Sequence, residues 1–278
     1  MSESRSVAYV KMLIPPLVIS LFRKNKKYGW KGDYKSWQEA QKLSSGYDNS
    51  LILQKVKLAL DKVKNGKAAY ERDSVLFDQI HYSWPLLSAL LWISLQNGGF
   101  LKVADFGGSL GSSYFQNKLY LDKLPDLKWN IVEQPNFVQC GKQFFQNDIL
   151  RFYYTPEEMI AHQGLSDVLL LSCVLPYLEK PYETLKNLIQ LRFPYILVDN
   201  TYFNYEKRDR ICIQRVSPEI YIANYPCWML NEEHVKTVLA TEYQLISTHE
   251  NESHIFLDGK KIQYRGFLFK IKKLFLRL

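Results

Sequence analysis

Val103-Ala104-Asp105-Phe106-Gly107-Gly108-Ser109-Leu110-Gly111 is the stretch on which the reading of the fold turns. A short apolar strand, Phe100 to Phe106 with Lys102 tolerated near its start, runs into a glycine-rich turn from which a helix can follow. Glycines at such a turn remove the Cβ, so backbone N–H groups and the next helix N-terminus can approach a ligand closely. Spacing discriminates better than glycine content. Reading from Gly107 gives Gly-Gly-Ser-Leu-Gly-Ser, which fails the dinucleotide pattern G-x-G-x-x-G at its third and sixth positions. The residues do fit acid-x-Gly-x-small-x-Gly, with Asp105 two positions before Gly107. A tight strand-to-helix turn that holds no ligand fits them too.

Working outward, Trp129 to Gln134 reads as the next strand and carries Glu133 at its end, 28 residues after Asp105. A strand–helix–strand unit of that size brings the carboxylate to the neighbouring strand's carboxyl end, where it can accept both hydroxyls of a ribose. A capping or salt-bridged glutamate is the alternative. Leu150 to Thr155 is a third strand, Ser166 to Cys173 holds a fourth and Tyr195 to Asp199 a fifth. A short helix opens at Pro156, and Tyr182 to Leu191 is helical. Strands alternating with helices at this spacing call for a doubly wound, mostly parallel sheet. Ahead of it, Asn49 to Lys64 has helical apolar spacing, capped by Asp48 or Asn49 and ended by Asn65-Gly66. Trp84 to Leu95 is an apolar buried helix with Ser83 and Pro85 at its start, too short to span a bilayer. Beyond the fifth strand come a strand at Cys212 to Val216, then an aromatic, proline-punctuated insertion through Trp228. A helix at Asn231 to Leu239 follows, then strands at Tyr243 to Ser247 and Tyr264 to Ile271, with a hairpin turn at Asp258-Gly259.

Composition bounds the function. The 278 residues are 47% hydrophobic and 23% charged, as in a soluble globular protein. Nineteen tyrosines suit either a site that stacks flat or sugar-like ligands or simply a tyrosine-rich core. Four cysteines without C-x-x-C or metal spacing suit reduced thiols in a cytoplasmic compartment. The net charge of +8 is concentrated at the ends: +6 over residues 1–35 and +7 over 260–278, leaving −5 for the body. An acidic body argues against a nucleic-acid partner. The apolar run Val7 to Phe22 is followed by Arg23, Lys24, Lys26 and Lys27, a pattern that suits the anionic inner face of a membrane. A docking arm against the protein's own core is the competing account. The expected organisation is an N-terminal basic, apolar and helical extension (1–75), a ligand-binding domain (76–271) and a basic-apolar tail (272–278). The oligomeric state is left open.

With its acid and glycines, the 103–111 stretch resembles motif I of class I S-adenosylmethionine-dependent methyltransferases. Ser166 to Leu178 resembles their motif IV. Together with Tyr82-Ser83-Trp84-Pro85, Val132-Glu133-Gln134, Pro218-Glu219-Ile220-Tyr221 and Tyr225-Pro226-Cys227-Trp228, the chain from about 75 to 270 resembles a bacterial group of methyltransferases often encoded near surface-polysaccharide biosynthesis. The resemblance implies S-adenosylmethionine as cofactor, held at its methionine end by Asp105, Gly107, Gly108, Ser109 and Gly111. Ser109 stands where the family usually has a glycine. Glu133 and Gln134 would face the ribose, Thr155 the adenine and Ser172 and Cys173 the cofactor's far side, with Tyr82 and Trp84 folding over it. A saccharide or glycan acceptor is implied by association.

The sulfonium already activates the methyl group, so the protein has to align an acceptor and remove one proton. His81, Asp199, Glu219 and His234 are the candidate bases, and Tyr202, Tyr221, Tyr225 and Trp228 the candidate acceptor-stacking rings. Each has a plain alternative: a helix-start hydrogen bond for His81, packing for the rings. Asp199-Asn200 resembles the pair in magnesium-dependent O-methyltransferases, but Ser172-Cys173 stands where their matching acid would be, so no metal is expected. Two rivals remain, a non-catalytic methyltransferase-like scaffold in a membrane-bound glycan assembly and a methyltransferase for a non-sugar small molecule. The failed dinucleotide pattern argues against a nucleotide-sugar dehydrogenase.

Overall fold

A computed structural model describes residues 28–45, 49–72, 74–218 and 220–273. The chain enters as strand β1 (Gly29–Tyr34) and helix α1 (Trp37–Lys42). Helix α2 (Asn49–Lys64) and a small hairpin of β2 (Tyr70–Arg72) and β3 (Val75–Phe77) follow. Helix α3 (Trp84–Gln96) leads into the alternating part: β4 (Phe100–Phe106), α4 (Ser112–Leu121), β5 (Asp126–Val132), α5 (Pro135–Phe144) and β6 (Leu150–Tyr153). It continues through α6 (Pro156–Gln163), β7 (Val168–Ser172), α7 (Pro181–Gln190) and β8 (Tyr195–Tyr202). The last third holds β9 (Arg210–Arg215), β10 (Asn224–Met229), α8 (Glu232–Leu239), β11 (Tyr243–Leu257) and β12 (Lys260–Ile271).

Seven strands form the central sheet in the order β11-β12-β8-β7-β4-β5-β6. The five from β6 to β8 are parallel, and β12 runs antiparallel between β8 and β11. This is the expected doubly wound, Rossmann-like sheet, antiparallel pair included. Its strands are near-continuous apolar runs because helices cover both faces. Val103, Ile131, Leu170 and Leu197 pack toward α2, α3, α4 and α5, while Leu169, Leu171, Ile196 and Val198 pack toward α6, α7 and α8. The chain starts in mid-sheet at β4, steps outward to β5 and β6, then returns to β7 on the other side. That reversal leaves a crevice beyond the carboxyl ends of β4 and β7, where open α/β sheets bind ligands.

Three sequence expectations need correction. Tyr225-Pro226-Cys227-Trp228 is not a loop but part of β10, which pairs with β9 in a second sheet ordered β1-β9-β10. Pro226 is tolerated because β10 lies at an edge, where a missing N–H costs no ladder bond. The leading segment holds a strand besides its helices, since β1 pairs antiparallel with β9 and so knits residues 29–34 to the later insertion. And β11 continues ten residues past Ser247, through the polar Thr248 to His254, held by pairing with β12 across two register shifts. The Asp258-Gly259 turn is as expected, both residues having positive φ, which a two-residue type I′ hairpin turn requires.

The small sheet packs against the outer part of the β11–β12 hairpin around Tyr202, Cys212, Cys227, Met229, Ile255 and Leu257. It also reaches the short turn Leu175–Tyr177 after β7 through a Tyr177 hydroxyl donated to Gln214 Oε1 at 2.8 Å. The inserted strands thus sit beside the carboxyl ends of β7 and β8. Among the described residues no helix is long and apolar enough to cross a membrane. The basic N-terminal run, the tail tip from 274, Asp48 and Glu219 lie outside what the structure describes.

Candidate functional site

The glycine turn stands at the switch point. Gly107 has φ +75° and donates its N–H to the Val132 carbonyl at 2.9 Å, tying the turn to the end of β5. A side chain there would meet Val174, the residue after β7's exit, at 2.9 Å or closer. Gly108 lies over the Asp105 carboxyl, with room for no Cβ: Oδ2 would be 2.5 Å away. Gly111, at φ +104°, is the N-cap of α4. Ser109 takes φ +55°, a left-handed conformation that costs a non-glycine residue of order 1 kcal/mol, which is why glycine would be the easier choice there.

Two carboxylates flank the turn in different ways. Glu133 is half-buried just past β5; Oε1 accepts the Ser109 N–H at 3.2 Å and Oε2 the Gln134 N–H at 2.6 Å. Burial raises its pKa, and these two backbone bonds pull it back. Asp105 lies underneath, 1% exposed. Its Oδ2 accepts from Trp129 Nε1 at 2.9 Å, and Oδ1 is buried without a partner. Burial pushes this carboxyl up to about 7; the Trp129 bond opposes the shift and the charge of Glu133 adds to it.

A second polar cluster lies at the end of β8. Asp199 Oδ1 accepts from Ser83 Oγ at 3.3 Å, stands 3.1 Å from His249 Nε2 and 3.5 Å from Asn251 Nδ2. Asn251 also donates to Asn200 Oδ1 at 3.3 Å. Ser83 is the N-cap residue of α3, yet its hydroxyl makes no cap bond and serves Asp199 instead. The helix forgoes a cap typically worth about 1 kcal/mol. The Asp199 carbonyl accepts the Cys173 N–H at 3.0 Å, which joins this cluster to the end of β7. Ser109, Cys173 and Asn200 all have positive φ without being glycine, at the carboxyl ends of three different strands. Backbone strain gathered on one rim is a mark of a functional edge.

Asp105, the glycine turn, Glu133, Ser172, Cys173 and Asp199 are therefore brought to one rim. Other expected residues are not. His81 is exposed, its ring edge-on to Phe77 at 5.7 Å, and its carbonyl accepts from Gln116 on α4. Tyr82 and Trp84 pack on Tyr120 at 5.3 and 5.9 Å. Tyr120 lies eight residues into α4, about 12 Å of helix rise from the glycine turn, so these rings flank α4 rather than fold over the turn. Trp84 is 57% exposed and lines an apolar groove with Pro85, Leu91 and Tyr120. His234 stacks on Tyr182 at 4.0 Å beside Asp209, on the α7–α8 side. Thr155 caps α6 through the Glu158 N–H at 3.1 Å. Gln134 contributes its N–H to Glu133 and carries an exposed side chain at the start of α5.

Three of the four expected stacking rings are buried and Trp228 is half-buried. Tyr202 is 0% exposed, bonded by Trp30 Nε1 at 3.2 Å, and Tyr221 and Tyr225 are buried with their hydroxyls 3.4 Å apart. Trp228 lies on the opposite face of β10 from Tyr225, as the period of two dictates, stacked on Trp37 at 6.3 Å. Packing describes all four. His249, Asn251 and Ser83 were not anticipated as site residues. Among the described residues no three His, Cys, Asp or Glu side chains gather as a metal site.

No family model matches the chain, and no curated protein resembles it in sequence. Among solved structures it is similar to the N-terminal domain of EvdMO1, crystallised in the presence of SAH and D-fucose, at 12% identity over 81% of this chain and 98% of that one, with a TM-score of 0.48. It is also similar to the Burkholderia thailandensis 1,6-didemethyltoxoflavin-N1-methyltransferase (12%, 88% and 94%, TM-score 0.44). A third is the N-methyltransferase NodS from Bradyrhizobium japonicum (14%, 68% and 87%, TM-score 0.40). Values this low assign no activity.

Proposed function

We propose that the protein is an S-adenosylmethionine-dependent methyltransferase that O-methylates a hydroxyl of a saccharide-like acceptor. The observation that carries this reading is the glycine turn at the switch point with Glu133 closing on the Ser109 N–H. Glu133 keeps acceptor capacity for a ribose diol, and the buried, unpartnered Oδ1 of Asp105 offers an acceptor beneath the turn for a cationic amine. The close fit of Gly107 and Gly108 against Val174 and Asp105 keeps the backbone, rather than side chains, at the surface of the turn. These residue types suit the cofactor's ribose and methionine ends. When bound, S-adenosylmethionine supplies a methyl group already activated by its sulfonium. The chain's own part is to orient the acceptor, exclude water and take one proton.

A hydroxyl acceptor is favoured by the ionisable cluster around Asp199 on the same rim, because an alcohol must lose a proton as it is methylated. The surface-polysaccharide setting follows from the family resemblance, and the basic ends suit a cytoplasmic protein held reversibly on an anionic inner leaflet near a lipid-linked acceptor. Calorimetry tests the core of the reading: S-adenosylhomocysteine should bind with micromolar affinity, roughly −8 kcal/mol. Tight binding of NAD with none of S-adenosylhomocysteine refutes it. Methyl-labelled cofactor with sugar nucleotides, lipid-linked glycans, phenols and peptides then tests the acceptor class; label in peptide or phenol alone refutes the saccharide.

A further inference from the structure

We propose that His249 is the general base of the transfer, positioned by Asp199, and that the acceptor hydroxyl meets it in the groove between α3 and β11. This deepens the methyltransferase reading and rests on it.

The arrangement depends on a backbone device. β11 and β8 are not neighbours; β12 lies between them, and two strand spacings amount to about 10 Å. His249 nevertheless brings Nε2 to 3.1 Å from Asp199 Oδ1. It can do so because the residue it crosses is Gly266, its partner on β12. A Cβ at Gly266 would overlap the imidazole and stand 2.6 Å from the Val198 carbonyl oxygen. The ladder is shifted at the same place: Arg265 pairs with Thr201 and Phe267 with Val198, so Gly266 alone faces Asp199 and Asn200. Bulges of this kind re-aim side chains and recur beside active sites. Asp199 is itself held by Ser83 and Asn251.

The His249 side chain is also reached from outside, being 13% exposed. His249 lines a groove of about 290 Å³ with Pro85, Ser88, Trp92, Leu197 and Ile246. With Nε2–H donated to the carboxylate, Nδ1 keeps its lone pair, and among the described residues it has no hydrogen-bond partner. Asp199 thus does for His249 what a buried acid does in a catalytic triad: it selects the tautomer and stabilises the imidazolium that forms. As the acceptor oxygen bonds to the methyl carbon, its proton passes to Nδ1. The carbon–sulfur bond breaks with its electron pair left on sulfur, so sulfonium becomes thioether. The imidazolium then returns its proton to water.

The test uses the full chain. In the wild type, nitrogen-15 NMR of labelled histidine should show His249 as the Nε2–H tautomer. Two probes are offered with labelled cofactor: a methyl glycoside, which must lose its proton to a base, and 4-nitrophenol, which ionises unaided in neutral water. His249→Gln should lower transfer to the glycoside about 100-fold or more, the usual share of general-base catalysis. Transfer to 4-nitrophenol should fall far less than transfer to the glycoside, and the affinity for S-adenosylhomocysteine should stay within about twofold. Asp199→Asn should lower glycoside transfer and disturb the tautomer; with His249→Asn it carries the comparison if His249→Gln fails to fold. Equal losses on both probes, a parallel loss of cofactor affinity, an Nδ1–H tautomer, or a wild type that binds S-adenosylhomocysteine but methylates neither probe each overturn the proposal. A wild type that does not bind S-adenosylhomocysteine overturns the methyltransferase reading itself, before any variant is made.

Discussion

Replacing Asp105 with asparagine isolates what the protein spends on an acid buried beneath its glycine turn. Burial raises this carboxyl from its ordinary 3.8 to about 7, against the Trp129 hydrogen bond and with the help of the Glu133 charge. A carboxyl with a raised folded-state pKa holds its proton more tightly in the folded than in the unfolded chain. The stability it contributes is complete below about pH 4 and is lost as pH rises through about 7. A gap of about 3 units at about 1.4 kcal/mol each makes that loss about 4 kcal/mol, an order-of-magnitude figure. Asparagine can keep an acceptor for Trp129 and does not ionise. Urea unfolding of both proteins at steps from pH 4 to 8 should therefore show Asp105→Asn gaining on wild type by a few kcal/mol up to about pH 7, then running parallel. A difference that does not change with pH refutes the burial argument. The same carboxyl should release a proton when a cationic amine arrives at Oδ1. Calorimetry near pH 6.5, in buffers of different ionisation enthalpy, should show proton release on S-adenosylhomocysteine binding by wild type but not by Asp105→Asn.

Glu133→Ala should weaken S-adenosylhomocysteine by about 1.5–3 kcal/mol, the range for hydrogen bonds to a charged group, measured by calorimetry; unchanged affinity removes Glu133 from the ribose. Gly107→Ala should cost about 1–3 kcal/mol in urea unfolding, because φ +75° and contact with Val174 are both unsuited to a Cβ. Tyr202→Phe should cost about 1 kcal/mol through the lost Trp30 bond and leave cofactor affinity unchanged; a loss of acceptor binding with no loss of stability would place the Tyr202 hydroxyl at the acceptor instead. Sedimentation with anionic vesicles at low salt should retain the full chain, with binding weakened by salt and by deletion of residues 1–27 or 274–278. A chain that ignores such vesicles ends the membrane proposal.

What the sequence determined by itself is the part written in local pattern. Apolar runs broken by turn residues place β4, β7 and the start of β8 within a residue or two, and the 28-residue step from Asp105 to Glu133 places both acids on the same rim. A strand–helix–strand unit has little freedom once its hydrophobic lengths are set, so spacing along the chain translates into position in space. The rest depended on pairings between distant segments. Nothing local in Gly29 to Tyr34 shows that it joins the distant strand Arg210 to Arg215, and the polar run Thr248 to His254 has no alternation to mark it as strand. Counting back from the Asp258-Gly259 turn, where Leu257 pairs with Lys260, would set His249 opposite Leu268; the register shift between Glu250 and His254 sets it opposite Gly266 instead. The tyrosines read as ligand-facing were decided the same way, since which face of β8 or β10 is covered depends on a neighbouring sheet and not on the residue. The His249–Asp199 contact exists because three strands meet at a glycine, and only tertiary pairing, which the backbone ladder and its bulges control, could bring those residues together.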